Sequence, residues 1–382
     1  MSLIADTKNL AALCEKWRQA DYLTVDTEFL RDKTYYAKLC LIQVSDGTEA
    51  VAIDTLAKGL DISPFYEILH GGPLKVFHAA RQDLEIFFQA TGKVPHPIFD
   101  TQIAAMVCGF GESVGYETLV GRLLNKRIDK TTRFTDWSRR PLNKRQLDYA
   151  LSDVIHLRPI YEYLRGKLEK RNRLNWIGEE MAVLTSEDTY RVDPKYAWKR
   201  IKSRIRKPRA IALLQCLAEW RETKAQQRNV PRNRIVRDDA LVEIASNPPR
   251  DRDGFNRMRM VPKGFGRSDF ADEILHLIDD VNNLPKEALP DTPDFKPTAA
   301  EKPGTVLELL KVLLKIRCQE EEIAPKLIAT TADLETIAME EDPDVPALHG
   351  WRFDLFGCDA LALKNGTLAL SAKGSDAVIQ RS

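Results

Sequence analysis

The sequence predicts an α/β domain with a mixed sheet flanked by helices, followed by two small all-helical modules. Three observations predict it. Up to about residue 175, short β-branched and aromatic runs alternate with segments of helical period. From about residue 205 the strand signal fades and helical patterns take over. A proline-rich stretch from Pro285 to Pro303 then divides the helical part into two clusters of similar size.

The strand candidates are Tyr22–Thr27, Ala37–Ser45, Ala50–Asp54 and Lys75–His78, the first three joined by loops short enough for antiparallel neighbours. Helical stretches follow at about 61–70, 80–91, 101–108, 115–124 and 143–171. The first helical cluster reads "PRAIALLQCLAEWRETKAQQRN", "DDALVEIA" and "SDFADEILHLIDDVNN", with Pro208 suited to a first helical turn. The second reads "TVLELLKVLLKIRCQEEE", "PKLIA", "TADLETIAME" and "GCDALALKNGTLALS". The expected division is a catalytic domain over 1–175, a basic linker over 176–204, a helical module over 205–284, an extended linker over 285–303 and a second module over 304–382.

A chain of 382 residues suits two or three domains. With 43% hydrophobic and 30% charged residues it reads as soluble and globular. The N-terminus MSLIADTKNL has no basic region leading into an apolar run, and no apolar stretch reaches the roughly 18 residues of a membrane helix, so a cytoplasmic location is expected. Six scattered cysteines without a C-x-x-C pair point to reduced, mostly buried thiols rather than zinc or disulfides. The net charge of +1 conceals a split. Lys195–Arg237 carries 14 Lys/Arg against 2 acids, whereas Ala271–Ser382 carries 11 against 21. The basic block has the character of a phosphate-binding surface, or of a solvated helix face.

The stretch "YLTVDTEFL" places Asp26 and Glu28 on one face of a strand, since residues i and i+2 point the same way. The D-x-E pattern recurs at Asp83–Glu85 and Asp333–Glu335, but only the first lies in an apolar strand, where two unneutralised carboxylates are costly without a cation or a proton. Paired hard oxygen ligands suit Mg²⁺ or Mn²⁺. More acids are expected at the same place. Asp83 in "LKVFHAARQDLEIF" follows a strand into a helix, and Tyr149 and Asp153 in "QLDYALSDVIHL" share a helix face. Four such carboxylates can hold two ions about 3.5–4 Å apart and support hydrolytic phosphoryl transfer, with a tyrosine hydroxyl beside the attacking water.

The order D-T-E-F, H-A-A-R-Q-D-L-E, Y-A-L-S-D-V resembles the three exonuclease motifs of the DEDD superfamily, in the branch with tyrosine in the third. "TYYAKLCLIQVSDG", "IFDTQIAAMVCGFGESVGYETLV" and "DKTTRFTDWSRRPLNKRQLDYALSDV" resemble the bacterial ribonuclease D family. "LAEWRETKAQQRNVPRNRIVRDDALVEIA" resembles that family's HRDC module, and "GWRFDLFGCDALALKNGTLAL" the end of a second one. The resemblance spans nearly the whole chain. It implies a ribonuclease H-like sheet and a 3′–5′ exoribonuclease with two metal ions that releases nucleoside 5′-monophosphates. In that scheme Asp26 bridges both ions, and Glu28 and Asp153 complete the site that binds the nucleophilic water. Asp83 supports the second ion through water, Tyr149 orients the nucleophile, and Thr27 and Phe29 lie at the substrate's 3′ end. Ala37 stands where the family often has proline, outside the acid cluster. Transfer RNA precursors and small stable RNAs are the implied substrates, and a monomer suffices.

Other features carry less. His78 and His156 are read as packing residues rather than bases, and "GFGESVG" as a loop, since it does not follow a strand. Tyr196 and Trp198 interleave with Lys199, Arg200, Lys202, Arg204, Arg206 and Lys207, and Arg228, Arg232 and Arg234 extend the same charge, as single-stranded RNA binding requires. The acidic second module is matched in charge by Arg122–Arg145, with 9 Lys/Arg against 2 acids. A DNA exonuclease would need the same acids, and a non-catalytic RNA-binding scaffold would have no use for them.

Overall fold

The computed structural model describes residues 2–129, 131, 135–291 and 304–381. Two compact units emerge: Met1–Glu28 with Cys40–Thr189 and Ala299–Ser382, and Phe29–Leu39 with Tyr190–Thr298. The greater part of the predicted extended linker, 292–303, lies outside the described residues.

The first unit is built on six strands, β1 (Ser2–Ile4), β2 (Tyr22–Leu30), β3 (Lys38–Ser45), β4 (Ala50–Ile53), β5 (Leu74–Phe77) and β6 (Ile98–Asp100), in the order β1-β4-β3-β2-β5-β6. β3 and β4 are antiparallel, while β1/β4, β2/β5 and β5/β6 are parallel, so the sheet is mixed. β1 and β6 have three residues each, too few for periodicity to reveal. Around the sheet lie α1 (Thr7–Trp17), α2 (Ser63–Leu69), α3 (Arg81–Thr91), α4 (Thr101–Val107), α5 (Tyr116–Leu124), α6 (Lys144–Lys170) and α7 (Gly178–Thr185). The span 176–204, read from the sequence as a linker, thus holds α7 and a 3₁₀ turn over Pro194–Arg200.

α6 matters most to the site. Asn143 and Gln146 close a capping box, each side chain accepting from the other's backbone N–H (2.9 and 3.1 Å), which fixes where the helix starts. Just before it, Arg140 grips the buried Asp54 through two nitrogens (2.6 and 2.8 Å) and donates to the carbonyls of Cys40 and Trp137, tying the approach to α6 onto the sheet.

The C-terminal part of the same unit comprises α12 (Thr305–Glu321), α13 (Pro325–Ile328), α14 (Thr331–Met339), α15 (Gly350–Arg352) and α16 (Cys358–Lys364). Leu310, Leu313 and Leu314 of α12 share one apolar core with Leu157, Ile160 and Tyr161 of α6. The acidic charge finds partners at the end of α6 and beyond: Glu322 pairs with Arg171 and Glu321 with Arg173. Reversing the polarity, Arg352 pairs with Glu179 and Glu180 of α7, beside Trp176 and Trp351 stacked 4.5 Å apart.

The module is not all-helical. After α16 the chain turns at Gly366 (φ +77°) into a hairpin, β7 (Leu368–Lys373) and β8 (Asp376–Arg381), closed at Gly374 (φ +65°). The sequence reading of "GCDALALKNGTLALS" as helix throughout is therefore corrected. Leu368 and Leu370, two residues apart, lie on one face of the strand, and both pack on the core.

The second unit is helical, with α8 (Pro208–Arg228), α9 (Arg232–Ile235), α10 (Asp238–Ser246) and α11 (Asp269–Asn282) around Leu217, Ala240, Leu241, Ile244, Phe255 and Ile274. All six cysteines of the chain are free thiols, four of them buried. No described helix is long and apolar enough to cross a membrane.

Candidate active site

β2 carries its apolar residues Leu23 and Val25 on one face, both fully buried, and Thr24, Asp26 and Glu28 on the other. The Thr24 hydroxyl donates to the carbonyl of Val154 (2.8 Å), which sets this second face against α6. Asp153, one residue earlier on α6, is thereby brought to the strand. Carboxylate oxygens of Asp26, Glu28 and Asp153 lie within 4.8 Å of one another.

Asp83 joins from α3. It is buried in the first turn of that helix and accepts a hydrogen bond from the Thr27 hydroxyl. Thr27, expected at the substrate end, is thus engaged in holding an acid. Phe29, expected beside it, is half-buried near the end of β2. The turn leading to α3 is held by Asp100, which accepts from the backbone N–H groups of Ala79 (3.1 Å), Ala80 (2.8 Å) and, as cap of α4, Gln102 (2.7 Å). Ala79 sits at φ +58°, a conformation costing about 1–2 kcal/mol for a residue with a Cβ. Asp100 holds it there.

The electrostatics of Asp26 and Asp83 are set by burial and by their mutual repulsion. Burial of its carboxyl group pushes Asp26 up to about 6, against a weaker lowering by the Thr27 N–H. Burial, then the neighbouring charge of Asp26, pushes Asp83 well above the usual carboxylate range. Among the described residues no lysine or arginine pairs with either. Hard oxygen donors from separate elements, close together and resisting ionisation, fit a divalent cation such as Mg²⁺ or Mn²⁺.

Tyr149 lies one turn before Asp153 on α6, its ring 6.1 Å from that of the buried Trp137. A second phenol, Tyr116, was not singled out from the sequence. Its hydroxyl donates to the backbone carbonyl of Asp153. Burial first, then the charges of Asp153, Asp26 and Tyr149, drive its pKa far up, so it stays a protonated donor among the acids. The only trace of Tyr116 and Asp100 in the sequence is that both fall inside the string "IFDTQIAAMVCGFGESVGYETLV".

His78 is held neutral by burial, down to about 4, with Nδ1 at 3.0 Å from the Thr101 hydroxyl and its ring 5.4 Å from Tyr116. Half-buried His156 lies 3.3 Å from the Lys126 ammonium, and burial with that charge lowers its pKa.

In the second unit Lys199, Arg200, Lys202, Arg204, Arg206, Lys207, Arg228 and Arg234 are exposed. Lys199 lies over the Tyr196 ring (4.8 Å) and Arg228 over Phe270 (4.4 Å). Arg232 differs, since its guanidinium is committed to the fully buried Glu222 and lies 4.9 Å from the centre of the Tyr35 ring.

A strand-borne acid pair completed by an acid on a crossing helix defines a class, the metal-dependent nucleases of the exonuclease type. Residues 1–169 match the 3′–5′ exonuclease family and residues 210–278 the HRDC domain. The chain is 47% identical to ribonuclease D of Granulibacter bethesdensis, over 98% of this chain and 95% of that one. It is also 47% identical to ribonuclease D of Nitrobacter hamburgensis, over the full length of both. The crystal structure of Escherichia coli RNase D superimposes with a TM-score of 0.80 at 29% identity, covering 96% of this chain and 98% of that one. The chain belongs to the ribonuclease D family.

Proposed function

We infer that this protein, as a ribonuclease D, is a 3′–5′ exoribonuclease that hydrolyses single-stranded RNA ends to nucleoside 5′-monophosphates. The observation that carries this is the convergence of Asp26, Glu28 and Asp153 oxygens within 4.8 Å, with Asp83 beside Asp26. We assign Asp26, Glu28, Asp83 and Asp153 as ligands of two divalent ions, Mg²⁺ or Mn²⁺. Such ions, when bound, acidify a water and neutralise charge gathering on the phosphodiester. The chain's own part is positional. Asp26 and Glu28 are fixed by the pleat of β2, Asp153 by α6 and by Tyr116, and Asp83 by Thr27. Tyr149, facing the same way as Asp153, orients the nucleophile through its hydroxyl. Thr27 and Phe29 border the 3′-terminal nucleotide.

The Escherichia coli relative is described as an exoribonuclease involved in structured RNA processing, and we extend that role to this chain, with transfer RNA precursors as substrates in the cytoplasm. Lys199, Arg200, Lys202, Arg204, Arg206, Lys207, Arg228 and Arg234 serve as the RNA surface. We retain the division into an exonuclease domain over 1–175, a basic segment, an HRDC domain over 205–284, a linker and an HRDC-like module over 304–382. Support for the last comes from a repeated helix pattern: α8, α9 and α10 have 21, 4 and 9 residues, and α12, α13 and α14 have 17, 4 and 9. We take the protein to act as a monomer.

The test is degradation of a 5′-labelled single-stranded RNA and its DNA counterpart by the wild type and by Asp26→Asn, with Mg²⁺, Mn²⁺ or EDTA. Stepwise, metal-dependent shortening from the 3′ end that favours RNA and stops in the variant is expected. Binding without shortening under every metal would overturn the reading in favour of a scaffold.

A further inference from the structure

The second unit contains a cavity of about 490 Å³ whose lining includes Arg31, Asp32, Tyr35, Arg200, Arg221, Arg232 and Asp238. Four arginines against two aspartates leave it positive. The arginines are not equivalent. Arg232 is occupied with Glu222 and Tyr35, so it serves as wall. Arg221 is 3% exposed and donates through Nη1 to the carbonyl of Val236 (3.0 Å) and to Asp238 (2.6 Å). Its buried Nε proton has no acceptor among the described residues. A donor left unmet in this way costs about 1–3 kcal/mol, and it marks a place where an acceptor from outside belongs. Arg200 is exposed at the rim and makes no ion pair among the described residues. Two guanidinium groups that border one cavity, one rigid and one free to move, suit a tetrahedral anion with oxygens for each.

We propose that this cavity receives a backbone phosphate of single-stranded RNA, gripped by Arg200 and Arg221. The proposal rests on the exoribonuclease reading for the identity of the polymer, and adds to it a discrete anchoring point that includes Arg221, a residue too buried to count as part of a basic surface. A diffuse basic face would spread the binding evenly over its exposed charges; an anchor concentrates it in these two.

The experiment measures binding of a 5′-fluorescein single-stranded RNA to the full chain in EDTA, by anisotropy at several salt concentrations. Arg200→Ala should weaken binding about tenfold and lower the slope of log Kd against log salt by about 0.7, one phosphate contact, whereas Arg221→Lys, which keeps the charge and loses the Nε donor, should weaken binding about tenfold with the slope little changed. Arg237→Ala, an exposed change in the same unit but outside the cavity lining, should change Kd less than twofold. Equal losses in Arg237→Ala and Arg200→Ala would overturn the anchor in favour of a diffuse field, and unchanged Kd and slope in a folded Arg200→Ala would overturn it outright. Calorimetry with inorganic phosphate and AMP separates the sources of the anion: binding that Arg200→Ala abolishes while RNA affinity stays put would make the cavity a free-anion site and overturn the RNA assignment. Failure of the wild type to bind RNA at all would instead remove the exoribonuclease reading on which the proposal stands.

Discussion

Two buried carboxylate sites in this molecule are opposite in kind. Glu222 in the second unit is fully buried and fully answered: Arg232 meets both its oxygens and the Tyr35 hydroxyl donates to it. Although burial acts to raise it, those hydrogen bonds hold its pKa below the usual carboxylate range. Asp26 and Asp83 in the first unit have no cation among the described residues, and their pKa values rise. The same side-chain chemistry is thus turned one way by partners supplied from within the chain and the other way by their omission. A protein that neutralises an acid itself uses it to hold structure. One that leaves several together, at a cost in folding free energy, keeps them for a ligand from outside.

That contrast breaks most sharply in activity. Asp26→Asn should lower RNA hydrolysis by about a thousandfold or more, roughly 4 kcal/mol of transition-state stabilisation, and leave the fold intact by circular dichroism. Glu222→Ala should do the converse. It strands Arg232 and removes the acceptor of Tyr35, so unfolding in urea should show a loss of about 2–4 kcal/mol, toward the lower end because the Arg232 side chain is 35% exposed. Equal destabilisation by the two substitutions would erase the distinction.

How much of this was legible depends on the range over which each device acts. The D-x-E pair in an apolar strand and the Tyr149–Asp153 spacing are local, and a reader of the sequence finds them. The mixed sheet could be read from its longer strands, but β1 and β6, three residues each, fall below the length at which alternation can be told from chance. Tyr116 and Asp100 act through backbone groups 37 and about 20 residues away, which no spacing rule encodes. The hairpin at the C-terminal end went unread because Leu-Ala-Leu satisfies helical and strand patterns alike, and Gly366 decides between them only through its backbone angle.

Between the extremes lies the tyrosine. Tyr149→Phe keeps the packing beside Trp137 and removes one hydroxyl, so kcat should fall about tenfold with KM little changed, as for a group that orients a nucleophile and does not bind the substrate. A fall in KM-dependent binding alone would move Tyr149 from chemistry to substrate contact.

The smallest expected effect is in stability, and it has a sign opposite to the usual one. The Asp26 carboxyl rises from 3.8 to about 6 on folding, so the folded state binds its proton more tightly than the unfolded chain does. Ionising it therefore penalises the fold; the penalty is absent below about pH 4, grows as pH rises toward 6 and is complete above that. In EDTA at pH 8, Asp26→Asn should consequently be more stable than the wild type by about 1–2 kcal/mol, a few degrees in Tm, and the gain should shrink by pH 5. Adding Mg²⁺ to the wild type should recover the difference by binding the folded state, and should do nothing for the variant if Asp26 is the ion's principal ligand. A wild type that is the more stable protein at pH 8 without metal would mean that the acids are neutralised from within after all, and the contrast with Glu222 would dissolve.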